Sequence, residues 1–332
     1  MRVGEMRELG VTPLPKVSLV PGTYTLIFRA DGRAEVRYPL VVTRAEALDI
    51  DVSLPRTTDV PEGFVYVPAG RFLYGSAAEA SVRGFLNAAP LHEMRTGAFY
   101  IARNETTYGD WIAFLSALPP EKRLLHTPKV GVAGVAGSLE LTELPAGGGW
   151  QLTIQPTVQP YTAKQGANLQ YSARSNRVSQ NWMLFPVAGV SSEDVTAYAA
   201  WLNESGRAPG ARLCTEPEWE RAARGADARE FPHGRRLEPD DANHDATYGK
   251  NPLSFGPDEV GSHPVSQSPF GLNDMAGNAW EWTAVVQLAN TYALRGGGFY
   301  HMPVTLQTAN REVIEPKLRN VWAGVRICLT PR

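Results

Sequence analysis

Cysteine is nearly absent, with Cys214 and Cys328 the two in 332 residues. That scarcity excludes a disulfide-built scaffold, a four-cysteine zinc site and a Cys-x-x-Cys redox pair. One bond between the two stays open, because spacing alone cannot place two cysteines in contact. An excess of one charge is also lacking. The 32 basic residues face 34 acidic ones, and no basic run is interleaved with aromatics, so nothing favours nucleic acid as a partner. No stretch approaches the roughly 18 apolar residues of a membrane span, and Met1 to Leu14 lacks the apolar centre of a secretory signal. As written, the chain is expected to be untargeted and to insert into no membrane. What is present, 43% apolar and 20% charged residues, suits a soluble globular chain of about two domains.

Residues 17 to 54 hold short β-branched runs that alternate apolar with polar and are broken by Pro-Gly, Asp-Gly and Arg-Ala-Glu-Ala turns, which predicts a small antiparallel sheet or sandwich. The proline-rich "LPRTTDVPEG" then reads as an extended linker. The division expected is a β-domain over 1–56, a linker over 57–62 and a second domain over 63–332. Within the second domain, "TTYGDWIAFLSAL", "SSEDVTAYAAWLNESG" and "EPEWERAARGA" read as helices. Ser191 or Ser192 caps the second, and Pro217 in the first turn and Gly225 at the end bound the third. Residues 127–185 read as a turn-rich insertion with a hairpin or two on the surface. The stretch "GADAREFPHGRRLEPDDANHDATYGKNPLSFGPDE" shows little periodicity and reads as a long loop held by something other than secondary structure.

Five pieces in order, "FVYVPAGRFLYGS", "NETTYGDWIAFL", "PVAGVSSEDVTAYAAWLN" with "ARLCTEPEWERAARGA", "SPFGLNDMAGNAWEWT", and "LRGGGF" with "GVRIC", together resemble the formylglycine-generating enzyme (sulfatase-modifying factor) family over roughly 62–330. The resemblance implies an α+β fold, the C-type-lectin-like domain rich in irregular loops, here preceded by the small N-terminal antiparallel β-domain. Residues 17–54 resemble a PEGA-type β-domain, a pairing similar to the extracytoplasmic part of some bacterial receptor-like serine/threonine kinases. That implies a fused or associated kinase as partner, and an extracytoplasmic location if the chain belongs to a membrane-anchored kinase, a cytoplasmic one otherwise.

Active members of the family oxidise a substrate cysteine with copper held by two cysteines just after an RGGSW-type motif. Gly298 stands here at the serine, Phe299 at the tryptophan, His301 at the first cysteine and Leu306 near the second. Copper(I) needs soft thiolates. Neither Cys328, in the last strand, nor Cys214, where the family has proline, replaces them, so copper is not expected and no catalytic residue is assigned. His301 with Met302 makes a poor metal pair, since neighbours on a strand point to opposite faces. His92, His126, His233, His244 and His263 form no cluster, and Ser191-Ser192 read as a cap rather than a nucleophile. The family's calcium motif does survive, implying a structural calcium on Asp274, the carbonyls of Gly277 and Ala279, and Glu281, which are hard oxygen ligands. A second calcium would fall on Asn243 and His244, with no evident acidic partner near Pro252 to Ser254.

Trp280 and Trp282 are expected on one strand face with Glu281 on the other; the family position of Trp280 borders the substrate groove. The ligand-contacting set expected is Trp280, Phe299, Tyr300, His301, Met302, Val304, Leu306, Arg311, Arg319 and Trp322, residue types favoured in recognition patches. The resulting expectation is a non-catalytic ligand-binding or sensing module for a protein or small molecule. Two alternatives follow from the same scaffold. Variable proteins of diversity-generating retroelements use this fold and vary between its RGG and GFR motifs, here 298–323. An active oxidase requires cysteines that the chain lacks, and the iron-dependent thiohistidine relatives require a His-rich helical domain that is not in it.

Overall fold

The computed structural model describes residues 6–131, 137–286 and 288–331; residues 132–136, inside the expected insertion, lie outside them. At the N-terminus, β1 (Gly22–Phe28) and β2 (Val36–Val42) pair antiparallel from Gly22↔Val42 to Phe28↔Val36. Leu48, Ile50, Val52 and Leu54 are half-buried and alternate with exposed Asp49, Asp51 and Ser53, yet this run joins no ladder, so the expected sheet stops at two strands. The linker is tied down rather than free: Ala34 N–H donates to Pro55 O at 3.0 Å and Thr57 N–H to Gly32 O at 3.1 Å. The hairpin docks on the second domain, with Pro39 packed against Gly225 and the Tyr38 hydroxyl near Gly70.

After the linker come β3 (Phe64–Val67) and the hairpin β4 (Gly70–Tyr74) and β5 (His92–Thr96), which carries the short helix α1 (Ala80–Phe85) in its loop. Next come β6 (Phe99–Ala102), α2 (Tyr108–Ala117) and α3 (Pro120–His126). The insertion contributes β7 (Lys129–Val130), β8 (Ser138–Glu143), β9 (Trp150–Gln155) and β10 (Tyr161–Lys164), followed by the small pair β11 (Leu169–Gln170) and β12 (Ser179–Gln180). Then follow α4 (Ser192–Glu204), β13 (Ala211–Leu213) and α5 (Glu216–Arg224). After a long irregular stretch the chain ends in β14 (Trp280–Ala284), β15 (Tyr292–Arg295), β16 (Glu312–Ile314), β17 (Ala323–Gly324) and β18 (Ile327–Leu329).

Two four-stranded sheets frame the core. One runs β13-β18-β6-β3, all antiparallel; the other runs β16-β15-β14-β17, with β17 parallel to β14. The helix starts follow the sequence: Thr107, Ser191 and Thr215 each accept from the N3 amide of α2, α4 and α5, and Asp110, Asp194 and Glu218 reach back to the cap amide, satisfying amides the helix leaves unpaired. Gly225 then ends α5 in a left-handed turn, where Pro269 and Pro39 leave no room for a Cβ.

The insertion is not a surface hairpin. It forms an antiparallel sheet, β10-β9-β8-β7, whose alternate residues Leu139, Leu141, Leu152, Ile154 and Tyr161 face inward and join Trp111, Trp182 and Trp282 in the main core. Period-two alternation marks one face for burial, and here that face meets the domain itself. Cys214 and Cys328, brought side by side by the β13–β18 pairing, form a disulfide in the second core cluster, both fully buried. Residues 225–279 contain no strand or helix beyond two short 3-10 turns, as the absence of periodicity implied.

Candidate functional site

Strand β15 ends at Arg295, and the chain turns through Gly296 and Gly297 with φ of 94° and 77°. A Cβ on Gly297 would come within 2.8 Å of Leu306. At Gly298 a Cβ would meet His301, Trp280 and Trp322 at ordinary contact distances of 3.4 to 3.5 Å, so a serine there is sterically admissible. The turn delivers His301 into an aromatic box. Its ring stacks on Tyr300 with centroids 4.2 Å apart and meets Trp280 and Trp322 edge-on at 5.4 and 5.6 Å. The Trp280 indole N–H lies 3.3 Å from the His301 ring nitrogens. Burial pushes the His301 imidazole down to about 4, so it is neutral at physiological pH.

The ten expected ligand contacts divide sharply. Phe299 and Leu306 are core residues, 1% and 0% exposed, which corrects their place on the surface: Phe299 joins the main cluster, and Leu306 packs with Phe231, Ala242 and Ala276. Trp280 and Trp322 are buried walls of the box. The Arg311 guanidinium is held by Glu216 at 2.7 and 2.8 Å. That of Arg319 is held by Asp194 at 2.8 Å and by the carbonyls of Thr127 and Leu125. Neither guanidinium is free for a ligand. Tyr300, His301 and Val304 are half-buried, and Met302 is 54% exposed, so these four form the accessible rim. Strand β14 is buried on both faces, Glu281 as well as Trp280 and Trp282, so the expected split into an aromatic and a polar face does not expose either.

Beneath this turn lies a charged cluster. Arg326 holds Glu281 through Nε at 3.0 Å and Nη2 at 2.7 Å, and Trp219 Nε1 donates to Glu281 at 2.5 Å. Asp274, with φ of 54°, accepts from the Gly261 amide at 2.5 Å. Glu105 accepts from the Ala279 amide and the Asn278 side chain, both at 3.1 Å. Burial, with the charges of Asp274 and Glu281, pushes the Glu105 carboxyl well up, and burial also raises Asp274. Of these three buried carboxyl groups Arg326 bonds Glu281 alone, while Asp274 and Glu105 take their hydrogen bonds from neighbouring amides. Among the described turn and loop hydrogen bonds none is donated to the carbonyls of Gly277 or Ala279. Asp274 and these two carbonyls are donors of the chemical kind a hard cation takes, although no group of three or more His, Cys, Asp or Glu able to hold a metal occurs among the described residues. Glu281 fits only as a shared ligand, because both its oxygens already accept hydrogen bonds.

The model for the sulfatase-modifying factor enzyme 1-like domain matches residues 51–331. The chain belongs to that family. The mouse protein named inactive C-alpha-formylglycine-generating enzyme 2 is 30% identical over 227 residues, covering 66% of this chain and 68% of that protein. The formylglycine-generating enzyme of Mycobacterium tuberculosis is 29% identical over 242 residues, 66% of this chain and 72% of that enzyme. Among solved structures, PvdO from Pseudomonas aeruginosa superposes with a TM-score of 0.57 at 22% identity, over 80% of this chain and 93% of that one. Treponema denticola variable protein 1 gives 0.53 at 15% identity, over 81% and 95%. These likenesses establish the shared α+β, C-type-lectin-like fold.

In this sulfatase-modifying factor domain the copper positions hold no thiolate. His301 is embedded among aromatics, Leu306 is wholly apolar and buried, and the two cysteines are bonded to each other. The second calcium position also departs from its expectation. Asn243 is 1% exposed; its Nδ2 donates to Gly256 O and Asn278, and its Oδ1 has no partner. The His244 carbonyl accepts from Thr247 N–H at 3.2 Å. The nearby carboxylate is Asp258, which receives Arg174, Gln180, Tyr248 and His263. Although burial opposes it, His263 and Arg174 hold Asp258 down to about 2. Its charge is already matched, so the residues present do not fit a divalent ion.

Glu105, Asn278, Arg326, Arg174 and Asp258 escaped the sequence reading. Glu105 and Arg326 sit inside the quoted motifs "NETT" and "GVRIC", where a charge between apolar neighbours was the available signal. A separate cleft of about 580 Å³ opens between β2, residues 43–50 and the β4–β5 hairpin, and none of the expected site residues lines it.

Proposed function

We infer that this chain is a non-catalytic binding module on the sulfatase-modifying factor scaffold. The observation that carries the reading is the replacement of both copper positions by His301 and Leu306, with Cys214 and Cys328 locked in a disulfide. A neutral imidazole among three aromatic rings supplies no soft ligand pair. The rim of Tyr300, Met302 and Val304 is instead adaptable and apolar, a surface that suits a protein segment or a small apolar ligand. The double variant Tyr300→Ala/Met302→Ala tests the surface by affinity capture. A partner held by the parent and lost by the variant supports the reading; a partner held equally by both refutes this rim as the binding site.

A structural calcium on Asp274, Gly277 O and Ala279 O, with Glu281 shared, is part of the proposal. Asp274 supports it: a buried carboxyl that Arg326 does not bond is a group whose charged form a bound cation would stabilise. The disulfide suits an oxidising compartment, in keeping with an extracytoplasmic module. A kinase partner rests on the N-terminal resemblance alone. A kinase domain and a membrane-spanning helix in the same reading frame would support it, and a frame without them would remove it. No helix among the described residues is long and apolar enough to cross a membrane. Display of a variable surface over 298–323 is confined by packing to its exposed positions, since Phe299, Leu306, Thr308 and Ala309 are buried.

A further inference from the structure

Three backbone and side-chain oxygens of the irregular loop converge on one guanidinium. Arg174 donates from Nε to Ser254 O at 2.7 Å, from Nη2 to Gly256 O at 2.9 Å and from Nη1 to Asp258 at 2.6 Å. Its head is wholly buried and sandwiched between the rings of Tyr171 and Tyr248, 3.5 and 3.9 Å from their centroids. The strap and the loop are cross-tied around it. Tyr171 donates its hydroxyl to Pro257 O, and Ser254 donates to Ala173 O. A Cβ on Gly256 would overlap the Tyr171 hydroxyl at 2.4 Å. Asn243 shares the Gly256 carbonyl with Arg174 and leaves its own Oδ1 buried without a partner.

Two loop carbonyls with a carboxylate are donors of the kind a hard cation takes. Here a fixed positive charge from the insertion occupies them. We propose that Arg174 is a built-in replacement for a metal ion: it closes the 243–258 loop in place of the second calcium, and its removal exposes a cation site built from Ser254 O, Gly256 O and Asp258. A divalent ion cannot join the present arrangement, because it would sit against the guanidinium while His263 occupies the other Asp258 oxygen at 2.9 Å. The insertion thereby does the work of a metal, and the loop needs no calcium to hold its shape. This holds whether or not the Asp274 site takes calcium.

The test is calcium titration by calorimetry on chains that all carry Asp274→Ala, which removes the side-chain ligand of the other candidate site. The parent of this series should bind no calcium at the loop up to several millimolar. Adding Arg174→Met, which keeps an apolar filler between the two tyrosines, should create one calcium site with Kd on the order of 10⁻⁴ to 10⁻³ M, and saturating calcium should raise its Tm. Arg174→Lys retains the charge and should bind none. Should the Met variant fold only with calcium present, that dependence is itself the expected result. The proposal falls if the Met variant folds and gains no calcium site. It also falls if the Asp274→Ala parent binds calcium and Asp258→Ala abolishes that binding, since the site would then coexist with Arg174.

Discussion

Acid should unfold this protein through His301. In the fold its imidazole is buried among Tyr300, Trp280 and Trp322, and burial lowers it from 6.5 to about 4. The unfolded chain therefore binds a proton that the folded one refuses, and stability falls as pH drops below the unfolded value. With those two values the loss attributable to His301 is about 2 kcal/mol between pH 7 and pH 5 and approaches about 3 kcal/mol near pH 4. Urea unfolding of the parent and of His301→Phe, each followed from pH 7.5 to pH 4, isolates the term. Phenylalanine keeps the aromatic packing and removes the titration, and every other ionisable group contributes equally to both chains. The stability difference should move in favour of the variant by about 2 kcal/mol by pH 5. Parallel curves across that range would mean that the imidazole is not held neutral in the box.

His263 should act in the opposite direction. Its hydrogen bond to Asp258 outweighs burial and raises it, so its contribution is complete below pH 6.5 and is lost as pH rises through the higher folded value. The stability gap between the parent and His263→Gln should accordingly narrow from pH 6 to pH 9; a constant gap would refute a charged His263. Glu281→Gln strands the wholly buried Arg326 guanidinium and should cost about 3 to 5 kcal/mol in chemical denaturation, whereas a loss below about 1 kcal/mol would show that the cluster compensates Arg326 otherwise. Calcium at about 100 times its Kd should stabilise the parent by about 2.7 kcal/mol and leave Asp274→Ala unaffected; equal responses of the two chains would place the ion elsewhere. The disulfide closes a loop spanning 114 residues of separation, so Cys214→Ala/Cys328→Ala should lose about 2 to 5 kcal/mol in urea, and an unchanged midpoint would argue that the thiols are not bonded.

Local rules carried the sequence reading furthest where the relevant partner is near in the chain. The capping of α4 by one of the serines Ser191 and Ser192, Pro217 in the first turn of α5 and the end of that helix at Gly225 each depend on neighbours within a few residues; Ser191 is the cap, and the other two stand in the structure. The irregular run after Gly225 was visible for the complementary reason, as it has no period. Partners far apart in sequence were not visible. Alternation in Leu139, Leu141, Leu152 and Ile154 marks an apolar face but not what covers it, so the insertion read as a surface feature although its sheet completes the core. Arg174 stands in the polar run "SARSNRVSQ" and looks solvated; its ligands arrive some eighty residues later. Phe299 and Leu306 were assigned to a binding surface by residue type, yet the glycine turn before them folds both inward. The cysteine pairing depended on the β13–β18 register, which spacing does not encode.

On the proposed non-catalytic reading, the groove behind the Arg295–Gly298 turn does not support copper-dependent oxidation. The most direct measurement is oxygen uptake by the purified, disulfide-intact protein given one equivalent of copper and a cysteine-containing peptide, with bound copper and peptide aldehyde measured on the same sample. The account predicts no stoichiometric copper, no uptake above the copper-only control and no aldehyde. Copper bound one to one, with oxygen consumed and aldehyde formed in step, would contradict it.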